Sequence, residues 1–240
     1  MDKMIKNNKK VDLIFTDPPY NISKSKRKFT RKDAKDVEQN FGKWDIFETW
    51  DDYLKWVKQW IDRSYDILND KGSLLIYCGD GMLLRIKQII DDNKWFIKRV
   101  ITWHKTNPTP QFMKINYLSS CEYILWLTKV KNGFTYNFKD QKNMHSFIST
   151  NDEEGFTCCI QTPICMGKER KEGGHPTQKR IDITKHFIEI HTNENDIVFD
   201  PFCGVGTTAI AAKELNRQYI CSDISNEYVN KAKERVSTMI

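Results

Sequence analysis

Short apolar runs alternate along the chain with longer segments in which apolar residues recur at helical spacing. A buried strand gives a continuous apolar run, whereas a helix that covers a sheet gives the spaced pattern. Their alternation predicts an α/β fold, with a mainly parallel, doubly wound sheet covered by helices on both faces. The predicted strands are residues 11–16, 73–78, 95–103, 122–128, 196–200 and 218–222, and the predicted helices are 49–69, 82–91, 177–191, 207–216 and a last one from 225.

This pattern is interrupted between residues 129 and 172, where polar residues predominate and the phenylalanines are isolated. A connection of this length without structure of its own is uncommon inside a domain. We therefore predict a small inserted recognition region over 129–172. Zinc is an alternative interpretation of its cysteines, but their spacing lacks the paired Cys-x-x-Cys arrangement and favours structural thiols and no metal site. The residues concerned are Cys158, Cys159, Cys165 and the later His175.

The composition is typical of one globular domain. Of the 240 residues, 39% are hydrophobic and 29% are charged, which is enough for one substantial core. The sequence contains neither an apolar stretch of membrane-spanning length nor a signal-peptide core. The seven scattered cysteines indicate reduced thiols in a cytoplasmic protein. The net charge of +6 is compatible with a polyanionic partner, although it is weak support on its own.

The first candidate for chemistry is the segment Asp17-Pro18-Pro19-Tyr20, which follows the first predicted strand. The prolines have no N–H to donate to a ladder, so they end the strand abruptly. They leave a carboxylate and an aromatic ring at its carboxyl end, which is the edge where open α/β sheets bind ligands.

The second candidate is a glycine loop, Gly204-x-Gly206-x-x-Ala209, between a predicted strand and a predicted helix. Glycines there permit a tight turn and a close approach to a ligand, while the helix N-terminus offers free N–H groups. Asp223 ends the next strand, where such folds place a carboxylate for ribose hydroxyls. The loop alone indicates an adenosine-containing cofactor, either a nicotinamide dinucleotide or S-adenosylmethionine; a plain strand–helix turn is the alternative.

A basic stretch leaves the Asp-Pro-Pro-Tyr corner, within residues 21–43. A solvated loop and a phosphate contact are equally good interpretations of it. Its candidate DNA contacts are Lys24, Lys26, Arg27, Lys28, Arg31 and Lys32.

Taken together, the two candidate sites resemble the DNA amino-methyltransferases in their permuted (beta) motif order. The resemblance extends over most of the chain. Its further matches are Trp44-Asp45, Gly72-Ser73, Trp103-x-Lys105-x-Asn107-Pro108, Glu122, His175-Pro176-Thr177-Gln178-Lys179, and Asp223 followed by Tyr228.

This resemblance implies a Rossmann-like S-adenosylmethionine-dependent methyltransferase fold with a reversed edge strand. It implies a catalytic half over residues 1–128, a target-recognition insert over 129–172 and a cofactor-binding half over 173–240. Lys105 would lie on the catalytic, DNA-facing side. By the resemblance, the cofactor would be bound by Asp200, Pro201, Phe202, Gly204, Gly206, Thr207, Asp223, His175, Thr177 and Lys179.

The chemistry implied is methylation of an exocyclic amine, whose lone pair is delocalised into the base. Asp17 and the carbonyl of Pro18 would accept the two amine hydrogens and direct the lone pair at the methyl donor. Tyr20 would stack on a base that is flipped out or already single-stranded. Methylation at a cytosine ring carbon would need a Pro-Cys nucleophile, and no Pro-Cys dipeptide occurs in the sequence.

Adenine is favoured over cytosine because the first motif residue is Asp17, where many cytosine-amino enzymes have Ser. Residues 101–108 also resemble the second methylase of DpnII-type restriction systems, which indicates site-specific methylation in a restriction-modification or mobile-element system. The alternatives are a cytosine-N4 methyltransferase, a catalytically inactive DNA-binding subunit, a nicotinamide dehydrogenase, and an RNA or protein amide methyltransferase. Beta-order relatives are often dimers, so a homodimer is possible.

Two features depart from the family's pattern. Arg180 stands where a proline usually follows the His-Pro-Thr-Gln-Lys segment. The Gly-Asp segment that helps to hold the cofactor's adenine does not precede Val11, so the resemblance does not say how the adenine is held.

Overall fold

A computed structural model describes residues 1–21, 28–31, 34–38, 45, 47–91, 94–110, 115–138, 148–151, 155–167, 169–170, 174 and 177–238. Its strands are β1 (Val11–Thr16), β2 (Lys28–Arg31), β3 (Ala34–Glu38), β4 (Leu68–Cys78), β5 (Phe96–Lys105), β6 (Cys121–Thr128), β7 (Ile148–Asn151), β8 (Gly155–Thr162), β9 (Ile197–Asp200) and β10 (Gln218–Cys221). Its helices are α1 (Asp2–Lys6), α2 (Trp50–Ile67), α3 (Asp80–Ile86), α4 (Ile181–His191), α5 (Thr207–Glu214) and α6 (Asn226–Ser237).

Eight strands form one sheet in the order β10-β9-β1-β4-β6-β5-β8-β7, and β2 and β3 form a separate antiparallel pair. The strands from β10 to β4 run parallel. Two strands of this sheet are reversed: β6 lies between β4 and β5, and β7 lies at the edge. The mainly parallel sheet with a reversed edge strand agrees with the prediction, and β6 adds a reversed strand in the interior.

Side chains of β1 and β4 alternate between the two faces of the sheet, and both faces are covered. Leu13 and Phe15 pack with Phe187 of α4, whereas Ile14 packs on the other side with Tyr53 and Ile61 of α2. A strand that is buried on both faces reads as a continuous apolar run, because no position along it faces water. This double burial explains why these strands were recognisable in the sequence.

Helix α2 begins at Trp50, next to the predicted start at residue 49, and Thr49 is its N-cap. The Thr49 hydroxyl accepts a hydrogen bond from the Asp52 N–H at 3.1 Å, which satisfies one of the free donors of the first turn. The helix leads directly into β4, which starts at Leu68, earlier than predicted. Residues 69–72, between the partners Leu68 and Ser73, form an irregularity in the pairing of β4 with β1.

The region predicted as an insert is partly integrated into the main sheet. Strand β8 pairs in parallel with β5, with Thr102 opposite Cys159, and β7 pairs antiparallel with β8. This extension was not predicted because the ladder relies on backbone hydrogen bonds and needs no continuous apolar run. Within the described residues the cysteines of this region are free thiols, and His175 lies outside those residues.

The residues that the structure describes include no group of three or more His, Cys, Asp or Glu side chains that could hold a metal ion. None of the helices described is long and apolar enough to cross a membrane.

Candidate active site

A cavity of about 1080 Å³ opens at the carboxyl ends of the parallel strands. The chain continues from β1 toward β4 on one side and from β9 toward β10 on the other side. The loops that follow β1 and β9 therefore run in opposite directions and leave a crevice between them at this edge. Both segments singled out in the sequence line this cavity. Its walls include Asp17, Tyr20, Lys179, Phe202, Gly204 and Asp223.

The Asp-Pro-Pro-Tyr corner is held by hydrogen bonds on both sides. The Tyr20 hydroxyl donates to Oδ1 of Asp17 at 2.6 Å, and the Tyr53 hydroxyl of α2 donates to the carbonyl of Pro19 at 2.7 Å. Gly79 lies against the Tyr20 ring, and a Cβ at that position would come within 3.2 Å of the ring's Cδ2. The corner therefore has a defined shape set by α2 and by the end of β4.

The second oxygen of Asp17 belongs to a buried ionic network. Nζ of Lys179 lies 3.2 Å from Oδ2 of Asp17 and 2.7 Å from Oε2 of Glu122. Nζ of Lys105 lies 3.3 Å from Oε1 of Glu122. Two ammonium groups thus alternate with two carboxylates, so the network carries no net charge when all four groups are ionised.

The two lysines were predicted to contact DNA and the cofactor, and the structure pairs both of them with carboxylates of the protein. Lys105, predicted as a DNA contact, is only 9% exposed and pairs with Glu122 of the neighbouring strand. Lys179, predicted at the cofactor, points its ammonium at Asp17 and Glu122. In each case a buried carboxylate is the nearest partner, and an ammonium removed from water needs such a partner.

Aromatic rings surround the Lys179 ammonium. It lies 4.9 Å from the centroid of Tyr77, 5.4 Å from Tyr20 and 5.9 Å from Trp103. The negative faces of such rings attract a cation, and they also exclude water from the ion pairs. The Trp103 ring is itself held by a hydrogen bond from Nε1 to the Thr162 hydroxyl at 2.8 Å.

The surroundings shift the pKa values of Asp17, Glu122 and Lys179. Burial raises the pKa of Asp17, and the nearby Glu122 raises it further, while Lys179 opposes the change. Burial also acts to raise the pKa of Glu122, but the two lysines outweigh it and the net shift is downward. The two carboxylates outweigh burial at Lys179 and raise the pKa of its ammonium. Lys179 and Glu122 therefore stay charged, and Asp17 is the member poised to exchange a proton.

The glycine loop connects β9 to α5 in a conformation that favours glycine. Gly204 and Gly206 both have positive φ, at 48° and 83°. Asp223 supports the loop by accepting hydrogen bonds from the N–H groups of Gly204 and Ser225, each at 2.9 Å. Gly206 is not among the residues that line the cavity; a Cβ there would come within 2.7 Å of the Ala232 Cβ. Gly206 thus allows α6 to pack closely, whereas Gly204 faces the cavity.

Asp200 ties the glycine loop to the catalytic strand. It accepts hydrogen bonds from the Thr16 hydroxyl at 2.8 Å, from the Thr208 hydroxyl at 2.6 Å and from the Phe202 N–H at 3.1 Å. Burial raises its pKa to about 6, although these donors oppose the shift. Asp200 lines the cavity, but both of its oxygens are already engaged by the protein.

Phe202 forms the other wall of the cleft. Its ring lies 5.4 Å from that of Trp56 and 5.6 Å from that of Trp60, both on α2. These two tryptophans of α2 therefore support an aromatic wall of the cavity.

The remaining predicted residues fall into three groups. Pro18, Pro19, Pro201, Thr177 and Thr207 line the cavity. Lys28 and Arg31 lie in β2, where the structure describes the backbone alone. Lys24, Lys26, Arg27, Lys32 and His175 lie outside the described residues.

Some residues of the site were missed or underrated in the sequence. Tyr77, Thr16 and Thr208 were not singled out, and Glu122 was noted only as a match within its strand. A charged residue at the start of the apolar run of β6 was the available signal for Glu122, because a carboxylate there needs a buried partner.

Comparisons with known proteins agree with this geometry. The sequence profile of a family described as "DNA methylase" matches residues 11–234. The chain is 32% identical to the type II methyltransferase M.HinfI of Haemophilus influenzae over 95% of its own length and 64% of that protein. It is 30% identical to the type II methyltransferase M2.MboI of Moraxella bovis over 94% of its own length and 80% of that protein.

Two solved structures resemble the fold closely. The complex of M1.HpyAVI with SAM has a TM-score of 0.67 and 29% identity, covering 98% of this chain and 93% of that chain. The cytosine-N4-specific PvuII DNA methyltransferase has a TM-score of 0.70 and covers 95% of this chain and 79% of that one. Its 18% identity supports a shared fold alone.

Proposed function

The chain belongs to the DNA methylase family, and from this premise we propose that it methylates the exocyclic amine of adenine in DNA, with S-adenosylmethionine as methyl donor. The observation that carries the proposal is the single cavity shared by Asp17 and the glycine loop. A methyl donor at the loop and a base at the corner would then lie in one enclosed space, which is what a direct transfer requires. The chain spans 64% of the length of M.HinfI, so the activity of that whole protein is not carried over to it. The proposal is argued from the site instead.

The residues of the cleft fit S-adenosylmethionine. Asp223 offers a carboxylate for ribose hydroxyls, and Phe202 offers an aromatic wall for an apolar part of the molecule. Helix α5 starts at Thr207, and its N-cap residue Gly206 has no side chain to accept hydrogen bonds. The N–H groups of the first turn are therefore available to a polar ligand. When bound, the cofactor supplies an electrophilic methyl group on a sulfonium. The SAM complex of M1.HpyAVI supports this assignment.

The chain's own contribution is to bind and orient the amine. Asp17 and the backbone carbonyl of Pro18 accept its two hydrogens, which frees the nitrogen lone pair from the ring. Tyr53 already occupies the carbonyl of Pro19, so the carbonyl of Pro18 is the one assigned to the amine. The negative charge of Asp17 stabilises the positive charge that develops on the nitrogen, and an oxygen of Asp17 takes up the proton that the product releases.

The target base reaches this corner only when it has left the stack of the duplex, and Tyr20 supplies the surface for it. Adenine is preferred because Asp17 is the first residue of the motif. Residues 1–128 form the catalytic half, 129–172 the target-recognition region and 173–240 the cofactor half in this proposal. The basic stretch within residues 21–43 supplies phosphate contacts.

The wider context is also proposed. The names of M.HinfI and M2.MboI, both type II methyltransferases, support a site-specific role in a restriction-modification system. A homodimer and a cytoplasmic location stay predictions.

The test is incubation with S-adenosylmethionine and unmodified DNA, single- and double-stranded, followed by nucleoside mass spectrometry. The proposal expects N6-methyladenine from the wild type and none from Asp17→Ala. Asp70→Ala is the matched control, because its carboxylate is 84% exposed and lies at the start of β4, away from the cavity. N4-methylcytosine would correct the base, and binding of the cofactor without methylated DNA would overturn the proposed substrate.

A further inference from the structure

We propose that Lys179, oriented by Glu122, is a positioning residue that holds the Asp17 carboxylate in one rotamer and in its ionised form for amine methylation. This inference rests on the function proposed above and concerns a residue that the sequence had placed at the cofactor. The geometry that supports it is the alternating chain Asp17–Lys179–Glu122–Lys105.

Three protein oxygens surround the Lys179 ammonium. Nζ donates hydrogen bonds to Glu122 and to the Tyr20 hydroxyl, which lies 3.4 Å away, and it forms an ion pair with Asp17. An ammonium has three donors, which matches the number of these partners. The Lys179 side chain is only 10% exposed, which places the ion pair with Asp17 out of bulk water.

The backbone around Lys179 is also anchored. The Gln178 side chain donates to the Glu169 carbonyl at 3.1 Å, and the Ile181 N–H donates to Oε1 of Glu169 at 2.8 Å. The residues on both sides of Lys179 are therefore tied to the same segment. Ordering a long lysine side chain costs conformational entropy. The anchored neighbours of Lys179 restrict its backbone, so less of that entropy remains to be lost when the ammonium binds the carboxylates.

Glu122 orients Lys179 from the neighbouring strand β6. Its two oxygens bind different lysines, Oε2 to Lys179 and Oε1 to Lys105. This arrangement keeps the ammonium of Lys179 between the carboxylates. Removal of one charge from such a buried group leaves its partner uncompensated, which makes the network sensitive to single substitutions.

The electrostatics give the inference a measurable signature. Lys179 lowers the pKa of Asp17, and Glu122 raises it. Tyr20, Tyr77 and Cys78 also face Asp17, but burial raises the pKa of each, so they stay neutral. Lys105 reaches Asp17 only through Glu122. Asp200 on β9 has a pKa of about 6 and is unchanged in every variant below, so its titration contributes equally to all of the pH profiles.

The experiment measures single-turnover methyl transfer to DNA from pH 5 to pH 9 at saturating S-adenosylmethionine, with its binding measured by calorimetry. The variants are Lys179→Met, Lys179→Arg and Glu122→Gln. We expect Lys179→Met to slow transfer at neutral pH by about tenfold or more and to move the acid limb of the profile to higher pH. Glu122→Gln should move that limb to lower pH, and Lys179→Arg should keep it near the wild-type position.

Cofactor affinity separates this role from the one predicted from sequence. A positioning residue leaves the dissociation constant of S-adenosylmethionine within about threefold of the wild type, whereas a residue that binds the cofactor would weaken it by tenfold or more. Weakened binding with an unmoved pH profile would overturn the inference.

Two further outcomes are decisive. A folded wild type that binds the cofactor but methylates no DNA would overturn the proposed function and this inference with it. If Lys179→Met does not fold, Glu122→Gln becomes the test, because its carboxamide has nearly the volume of the carboxylate and should fold. The inference then depends on the direction in which the acid limb of the Glu122→Gln pH profile moves. A profile for Glu122→Gln that coincides with the wild type would contradict the inference.

Discussion

The hydroxyl of Thr16 donates a hydrogen bond to the Asp200 carboxylate over 2.8 Å, joining residues that lie 184 positions apart. Thr16 ends the strand that carries the catalytic corner, and Asp200 ends the strand that carries the glycine loop. The Thr208 hydroxyl of α5 binds the other oxygen of Asp200. One buried carboxylate thus connects the strand before the Asp-Pro-Pro-Tyr corner to the glycine loop and the helix that follows it.

The substitution Thr16→Val should lower the free energy of unfolding by about 1–3 kcal/mol, because it leaves a buried carboxylate oxygen with fewer donors. It should also raise the pKa of Asp200 above its present value of about 6. Urea unfolding at pH 7 measures the loss. Thr157→Val, at an exposed threonine of β8, is the control and should change stability by no more than about 0.5 kcal/mol. An equal effect of the two substitutions would contradict the role given to the Thr16 hydroxyl.

The substitution Gly206→Ala should destabilise the protein for two separable reasons. A non-glycine residue at a φ of 83° is strained, and the new Cβ would meet that of Ala232 at 2.7 Å. We expect a loss of about 2–4 kcal/mol in thermal or urea unfolding. The double variant Gly206→Ala with Ala232→Gly removes the contact with the Ala232 Cβ but keeps that with its Cα at 3.1 Å, so it should recover only part of the loss. Full recovery would contradict the strain assigned to the positive φ.

The substitution Gly79→Ala tests the support of Tyr20. Its Cβ would lie 3.2 Å from Cδ2 of the Tyr20 ring, so the ring must move away from Gly79. Displacement of a side chain at the target-base end of the cavity should slow methyl transfer by about tenfold while cofactor binding stays unchanged. Single-turnover rates and calorimetry measure the two quantities. Asp70→Ala, at the exposed carboxylate away from the cavity, is the control and should leave both quantities unchanged. A wild-type rate in Gly79→Ala would mean that Tyr20 tolerates the shift.

His191 should make the protein sensitive to mild acid. It is buried against the rings of Trp126 and Phe187, and burial lowers its pKa from 6.5 to about 3. Between these values the unfolded chain binds a proton that the folded protein does not, so stability falls as pH falls below 6.5. The slope from this group is about 1.4 kcal/mol per pH unit.

The variant His191→Phe should lose that slope, measured as the free energy of unfolding in urea at pH 6, 5 and 4. Tyr136→Phe is the control, because it alters the same aromatic cluster and keeps the imidazole. A pH dependence of His191→Phe that matches the wild type would show that His191 does not cause it.

Local chemistry determined much of this protein in advance. The prolines at 18 and 19 end β1 because they cannot donate to a ladder, and the cap at Thr49 begins α2 because its hydroxyl satisfies a free N–H. The apolar runs of β1 and β4 identified strands buried on both faces. Each of these features is decided within a few neighbouring residues, so the sequence by itself was sufficient for the fold class and for the two segments that line the cavity. It was also sufficient for the order of the six predicted strands and five predicted helices, whereas α1, β2, β3, β7 and β8 were not predicted.

The tertiary structure decided which charges meet. The order β1-β4-β6-β5 brings Glu122 of β6 beside Lys105 of β5, and the segment before α4 delivers Lys179 to the same place. No local pattern specifies these partners, because a lysine ammonium lies at the end of a flexible chain and its partner depends on which strands are neighbours. The sequence therefore did not predict that Lys179 and Lys105 pair with buried carboxylates at the cavity wall. The physical reason for their position is that a buried ammonium needs such a partner.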